Sequence, residues 1–120
     1  MAENYFFTRY ALPGTVLFQP TGGPPRTIRG ELNDISFRAI SMYSKDELAK
    51  DTVVRFLLMS KEYDVRISGA GKVTYSQPLV RKASQMFRIG VEFTTVDSEL
   101  LRDTMSRLGK VLQPKESNQP

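Results

Sequence analysis

The chain has 120 residues, 40% of them apolar and 25% charged, which is the composition of one folded domain and too short for two ordinary ones. It contains no cysteine, which excludes a disulfide framework, a thiolate nucleophile and a Cys-based zinc site, and no histidine, which removes the usual general base and the commonest metal ligand. The net charge of +4 favours anionic partners: nucleotides, nucleic acid, acidic proteins or a membrane surface. No carboxylate pair stands out, so the chain is not expected to be an enzyme. No apolar stretch approaches the length of a membrane span, and Met1-Ala2-Glu3-Asn4 does not start a signal sequence, so a cytoplasmic location is expected.

The chain opens with Tyr5-Phe6-Phe7-Thr8-Arg9-Tyr10, four aromatic rings in six residues. That density predicts a segment lying against the domain, with simple packing the ordinary role of such rings. It also sets Arg9 among flat faces on which a guanidinium can stack as well as pair with phosphate. Pro13-Gly14 reads as a turn and residues 15–19 as a first strand. Pro20-Thr21-Gly22-Gly23-Pro24-Pro25 then predicts a hairpin loop. It is not a phosphate-gripping glycine loop, because it leads into a strand and no Gly-Lys-Ser or Gly-Lys-Thr follows.

Residues 29–40 are the organising stretch. Ile28, Gly30 and Leu32 alternate with Arg29, Glu31 and Asn33, as the two faces of a strand do. Asn33-Asp34-Ile35-Ser36 is expected to break that strand, since Asp and Ser side chains bond to nearby backbone and favour a turn or bulge. A second apolar run, Ala39-Ile40-Ser41-Met42, follows at once. The arrangement leaves a carboxylate and a hydroxyl on a sheet edge beside arginines. Turn chemistry is the plain role for Asp34 and Ser36, and ligand binding the alternative.

Ser44-Lys45-Asp46-Glu47 has the spacing of a capping box and predicts either a helical turn over 46–49 or a polar connection. From Asp51 a strand over 52–59 carries apolar residues on both faces and is expected to be covered on both. A turn over 60–64 leads to one long strand over 65–75, bent at Gly69-Ala70-Gly71 as a closing barrel requires. Residues 76–85 read as a polar loop with Arg81 and Lys82 at its tip. Phe87, Ile89, Val91 and Phe93 then alternate with Arg88, Gly90 and Glu92. A helix over 97–108 places Leu101, Thr104, Met105 and Leu108 on one face, with Gly109 as its expected end.

About six short strands divided by turn signals, followed by one helix, predict an antiparallel barrel or sandwich whose opening or face the helix covers. There is no internal repeat. Residues 1–112 are read as one domain and 113–120 as a flexible polar tail.

The order of these features resembles the PilZ domain, a bacterial module that receives cyclic di-GMP. Asp34-Ile35-Ser36-Phe37-Arg38-Ala39 is similar to the family's D/N-x-S-x-x-G motif except at its last position, and Ile89-Gly90-Val91-Glu92-Phe93 is similar to its late strand. Arg9 matches the second arginine of the family's R-x-x-x-R pair, which puts Tyr5 where the first would stand. The resemblance runs from about Tyr5 to Leu108. It implies a six-stranded antiparallel barrel of the split-barrel type with a C-terminal helix. It also implies a cyclic di-GMP site in which Arg9 holds phosphate or guanine and Asp34 and Ser36 contact base edge or ribose. Ala39 lies at the motif's glycine position, with Tyr5 and Arg38 peripheral. Tyr in place of Arg offers one hydroxyl and a stacking face instead of a bidentate fork, a loss of about 1.5–3 kcal/mol if the anchor is used.

Three functional readings follow. The first is a cyclic di-GMP receptor or adaptor in bacterial second-messenger signalling, with weakened binding. The second is an adaptor of the same fold that docks to a motility, pilus or secretion protein without the nucleotide. The third, ranked last, is a basic barrel binding single-stranded nucleic acid through Arg26, Arg29, Arg66, Lys72, Arg81 and Arg88. That reading requires exposed aromatics, whereas the late-strand rings alternate inward. No cofactor or metal is expected.

Overall fold

A computed structural model of the chain describes residues 8–81 and 84–115. Six strands, β1 (Tyr10–Pro20), β2 (Ile28–Ile35), β3 (Ala39–Ser44), β4 (Val53–Ser60), β5 (Val65–Arg81) and β6 (Ser84–Val96), precede one helix, α1 (Ser98–Val111). All pair antiparallel, and the sheet closes in the order β1-β2-β3-β6-β5-β4. Two three-stranded meanders therefore meet along two seams, β1 with β4 and β3 with β6. Closure leaves the motif at the end of β2 on the rim of a barrel instead of at a sheet edge.

Alternation along the strands decides what fills the barrel. Val16, Phe18, Leu32, Ile40, Met42, Val54, Leu58, Ile67, Val73, Ile89 and Val91 are all buried, and Phe56 and Phe93 pack with ring centroids 5.6 Å apart. Transfer of such side chains from water, at about 1.5–3 kcal/mol each when fully buried, is the main drive for closing the sheet. The segment between β3 and β4 crosses one end of the barrel. It drops Leu48 into the core and is stitched to β5 by the Asp51 N–H on the Val73 carbonyl (2.7 Å) and the Val73 N–H on the Thr52 carbonyl (2.8 Å).

Helix α1 closes the other end. Asp97 caps it by accepting from the Leu100 N–H at 3.1 Å, and Leu101, Thr104, Met105 and Leu108 form the buried face the spacing predicts. Arg107 ties the helix to the β4–β5 turn through the carbonyls of Tyr63 (2.6 Å) and Asp64 (3.1 Å). That is the end of the barrel where β1 begins, β2 stops and β3 starts.

Several expectations need correction. Pro13-Gly14 does not turn the chain. Both residues lie inside β1, at a register shift against β2 between Ala11 and Gly14. A side chain at Gly14 would strike the Met59 carbonyl, so glycine here permits the close approach of β1 to β4. β2 does not turn at Asn33 but bulges there, one of the two outcomes expected. It continues to Ile35 with a register shift against β3 between Leu32 and Asp34.

The capping-box spacing at Ser44 makes no helical turn, because the Ser44 hydroxyl instead accepts from the Asp46 N–H at 3.0 Å. Asp51 has φ of 74°, outside any strand, so β4 begins at Val53. One face of β4 is more open than its apolar run implies, with Val53 43% exposed. Residues 76–81 and 84–85, expected in a loop, are strand: β5 and β6 run past the last rungs of their other neighbours as a two-stranded ribbon. Backbone pairing alone decides this, and a polar sequence does not oppose it. Lys82, which the sequence put at the tip of that loop, lies outside the described residues.

Helix α1 also continues through Gly109 to Val111. The missing side chain makes room for the Tyr10 hydroxyl, which a Cβ at Gly109 would meet at 3.0 Å. Beyond the helix the chain stays on the barrel as far as Lys115, whose N–H donates to the Arg9 carbonyl at 2.7 Å.

Candidate functional site

The rim formed by the end of β2, the start of β3, Arg9 and Lys115 gathers the polar groups of the motif. Asp34 is only 2% exposed although it is a charged residue. The register shift beside Asn33 places Asp34 opposite Ser41, and the Ser41 hydroxyl donates to its Oδ1 at 2.7 Å. Asn33 Nδ2 donates in turn to Ser41 Oγ at 2.9 Å. On the other oxygen, Lys115 Nζ donates to Oδ2 at 2.9 Å and an Arg9 guanidinium nitrogen lies 3.7 Å away. Asp34 is thus no turn former: its carboxylate bonds to groups from distant parts of the chain. A buried carboxylate is tolerable only with such partners.

Ser36 does perform turn chemistry. Its Oγ accepts from the N–H groups of Arg38 and Ala39, each at 3.1 Å, and donates to the Ala39 carbonyl at 3.3 Å. The Ser36 N–H donates to the same carbonyl at 2.9 Å. One hydroxyl therefore holds the three-residue turn between β2 and β3 in shape.

Ala39 opens β3 opposite Glu92, and it is not among the described non-glycine residues with positive φ, which are Asp51 and Asp64. Alanine fits this backbone without strain, and by strand alternation its methyl points away from the barrel interior that Ile40 enters. Arg38 is committed to Glu92, NH2 to Oε2 at 3.0 Å, while its carbonyl accepts from the Phe93 N–H at 2.8 Å.

The structure therefore brings Arg9 to Asp34 and sets Ser36, Arg38 and Ala39 in the adjoining turn. Tyr5 lies outside the described residues. Beside the turn, Phe37, Arg38, Glu92, Phe93, Leu101 and Arg102 line an open depression of about 650 Å³. Lys115 and Ser41 are the residues that sequence reasoning missed. Ser41 left a faint signal, a hydroxyl within an apolar strand. Lys115 left none, since it sits in a polar stretch more than eighty positions from Asp34.

The basic residues of the nucleic-acid reading are spread around the barrel: Arg26, Arg29, Arg66 and Lys72 are exposed and Arg88 half-buried, while the Arg81 side chain is outside the described residues. No exposed ring accompanies them among the described residues, since Phe87 and Phe93 pack on the core. No helix among the described residues is long and apolar enough to cross a membrane.

Comparison with known proteins places this geometry. The model of the PilZ domain family matches residues 5–108. Similar solved structures include the Bacillus subtilis inhibitor of motility MotI/DgrA, with TM-score 0.66 and 14% identity over 86% of this chain and 48% of that one. The PilZ domain of Escherichia coli YcgR with c-di-GMP has TM-score 0.62 and 13% identity over 83% and 84%. The MrkH–c-di-GMP complex of K. pneumonia has TM-score 0.59 and 17% identity over 86% and 48%. The chain thus spans about half the length of MotI and of MrkH, and at these identities the likeness is one of fold. No curated protein sequence matches the chain.

Proposed function

The chain belongs to the PilZ domain family, and from that membership and the rim described above we propose that it is a cyclic di-GMP receptor or adaptor with its site at Arg9, Asp34, Ser36 and Ala39. The observation that carries this reading is the Arg9–Asp34 pair. A buried carboxylate holds, at 3.7 Å, the guanidinium of an arginine whose side chain is 43% exposed, beside a turn already ordered by Ser36. A guanidinium positioned in this way meets phosphate or the guanine edge with less ordering cost than a free side chain. Tyr5 and Arg38 are peripheral to the site. The absence of His and Cys argues for a binding module and against hydrolytic catalysis.

A second reading, a ligand-independent adaptor for a protein partner, is favoured by how many motif groups are already bonded within the chain. Arg38 is paired with Glu92 and Asp34 with Lys115. Calorimetric titration with cyclic di-GMP, with GMP as control at the same salt, separates the two. Saturable micromolar binding that Arg9→Ala destroys supports the receptor. An absence of heat up to millimolar ligand, a ceiling of only ~4 kcal/mol of binding free energy, supports the adaptor.

A further inference from the structure

The Asp34 seat holds one carboxylate against two cations. Its Oδ1 takes the Ser41 hydroxyl, so the cations share Oδ2, Lys115 at 2.9 Å and Arg9 at 3.7 Å. Both keep a solvent-facing side: the Lys115 side chain is 29% exposed and that of Arg9 43%, whereas that of Asp34 is 3%. An ammonium carries three donors, of which Asp34 takes one, and a guanidinium carries five. Nor is Lys115 a loose surface lysine. Its own N–H is bonded to the Arg9 carbonyl at 2.7 Å, and Leu112, the C-cap of α1 three residues earlier, packs on the core. The two cations therefore sit on adjacent, mutually bonded backbones, their ammonium and guanidinium groups aimed at one point on the rim. Arg38, in the adjoining turn, is bonded to Glu92.

We propose that Lys115 is a ligand-contacting residue of this site, forming with Arg9 a two-cation seat for the phosphate of a nucleotide. Asp34 orients both cations and leaves one positive charge in excess. The proposal rests on the receptor reading for the identity of the nucleotide, though not for the anion seat itself.

The test compares the full chain with Lys115→Met, which keeps the stem length, and Lys115→Arg, which keeps the charge. Each is titrated with cyclic di-GMP and, separately, with inorganic pyrophosphate while the Lys115 and Arg9 backbone amides are followed by NMR. The expected result is that Lys115→Met weakens cyclic di-GMP binding by ~10-fold or more, about the worth of one charge-assisted hydrogen bond, while Lys115→Arg stays within ~3-fold of the parent. Unchanged binding in a folded Lys115→Met protein overturns the proposal and leaves the receptor reading intact. Tighter binding also overturns it, since Lys115 would then be competing with the ligand for Asp34. If the parent binds pyrophosphate in a Lys115-dependent way but not cyclic di-GMP, the seat stands and the receptor reading falls. If neither anion binds, both fall.

Discussion

Lys115 and Asp34 lie 81 residues apart in the chain, and the ammonium of one donates to the carboxylate of the other at 2.9 Å. Ser41 closes the same carboxylate from the opposite side at 2.7 Å, so a polar cluster is built into the rim of an apolar barrel. Asp34→Ala strips two donors of their acceptor, one of them the hydroxyl of the buried Ser41. A loss of about 1–3 kcal/mol in urea unfolding is expected. Asp34→Ala combined with Ser41→Ala should cost less than the sum of the two single changes, because the pair shares one bond.

Ala39→Gly tests whether the methyl group at the motif's last position obstructs a ligand. Ala39 is an ordinary strand residue with no positive φ, so glycine brings only backbone entropy. Stability should fall by about 0.5–1 kcal/mol, with cyclic di-GMP affinity changing less than ~3-fold, a difference under 1 kcal/mol. A gain of tenfold or more in calorimetry would show that the methyl does intrude on the site.

Gly90 lies opposite Tyr75 in the β5–β6 ladder, and a Cβ there would run into the tyrosine ring. The register shift between Val73 and Tyr75 is what brings ring and glycine together. Gly90→Ala is expected to destabilise by about 1–3 kcal/mol through overpacking. Adding Tyr75→Ala should recover part of that loss, measured by the same unfolding midpoint, whereas full additivity would mean that the ring and residue 90 do not interact.

Asp97 accepts the Leu100 N–H at the start of the helix that closes the barrel. Asp97→Ala should lower stability by about 1 kcal/mol, as loss of an N-cap usually does. Asp97→Ser should retain most of it. A thermal melt that does not separate Asp97→Ala from the parent would mean that core packing of Leu101, Met105 and Leu108 alone holds the helix.

Where local pattern and tertiary demand agreed, the sequence was a sound guide. The alternation through Ile28, Gly30 and Leu32 and the helical spacing of Leu101 to Leu108 appear in the structure as drawn from the pattern, because in both cases burial of one face is the dominant energy. Turn signals did less well. Pro13-Gly14 became part of a strand and residues 76–81 became ribbon, because a closed barrel supplies backbone partners that local propensity cannot anticipate. Of the two outcomes the spacing at Ser44 allowed, the polar connection formed: a hydroxyl bonded two residues ahead satisfies the same donor shortage without a helix.

By itself the sequence determined a β-rich fold with a closing helix, a chain without thiol or imidazole side chains, and a motif whose order of residues points to the PilZ family. These depend on residue identity and short-range periodicity, which a linear chain carries in full. Tertiary structure alone decided how Asp34 and Ser36 differ, one bonding to distant cations and a hydroxyl and the other holding its own turn. It also decided that the backbone at Ala39 needs no glycine, and that Lys115 bonds to Asp34. Each of these is a matter of which distant groups a closed barrel brings within hydrogen-bond reach, and no pattern of neighbours along the chain encodes that distance.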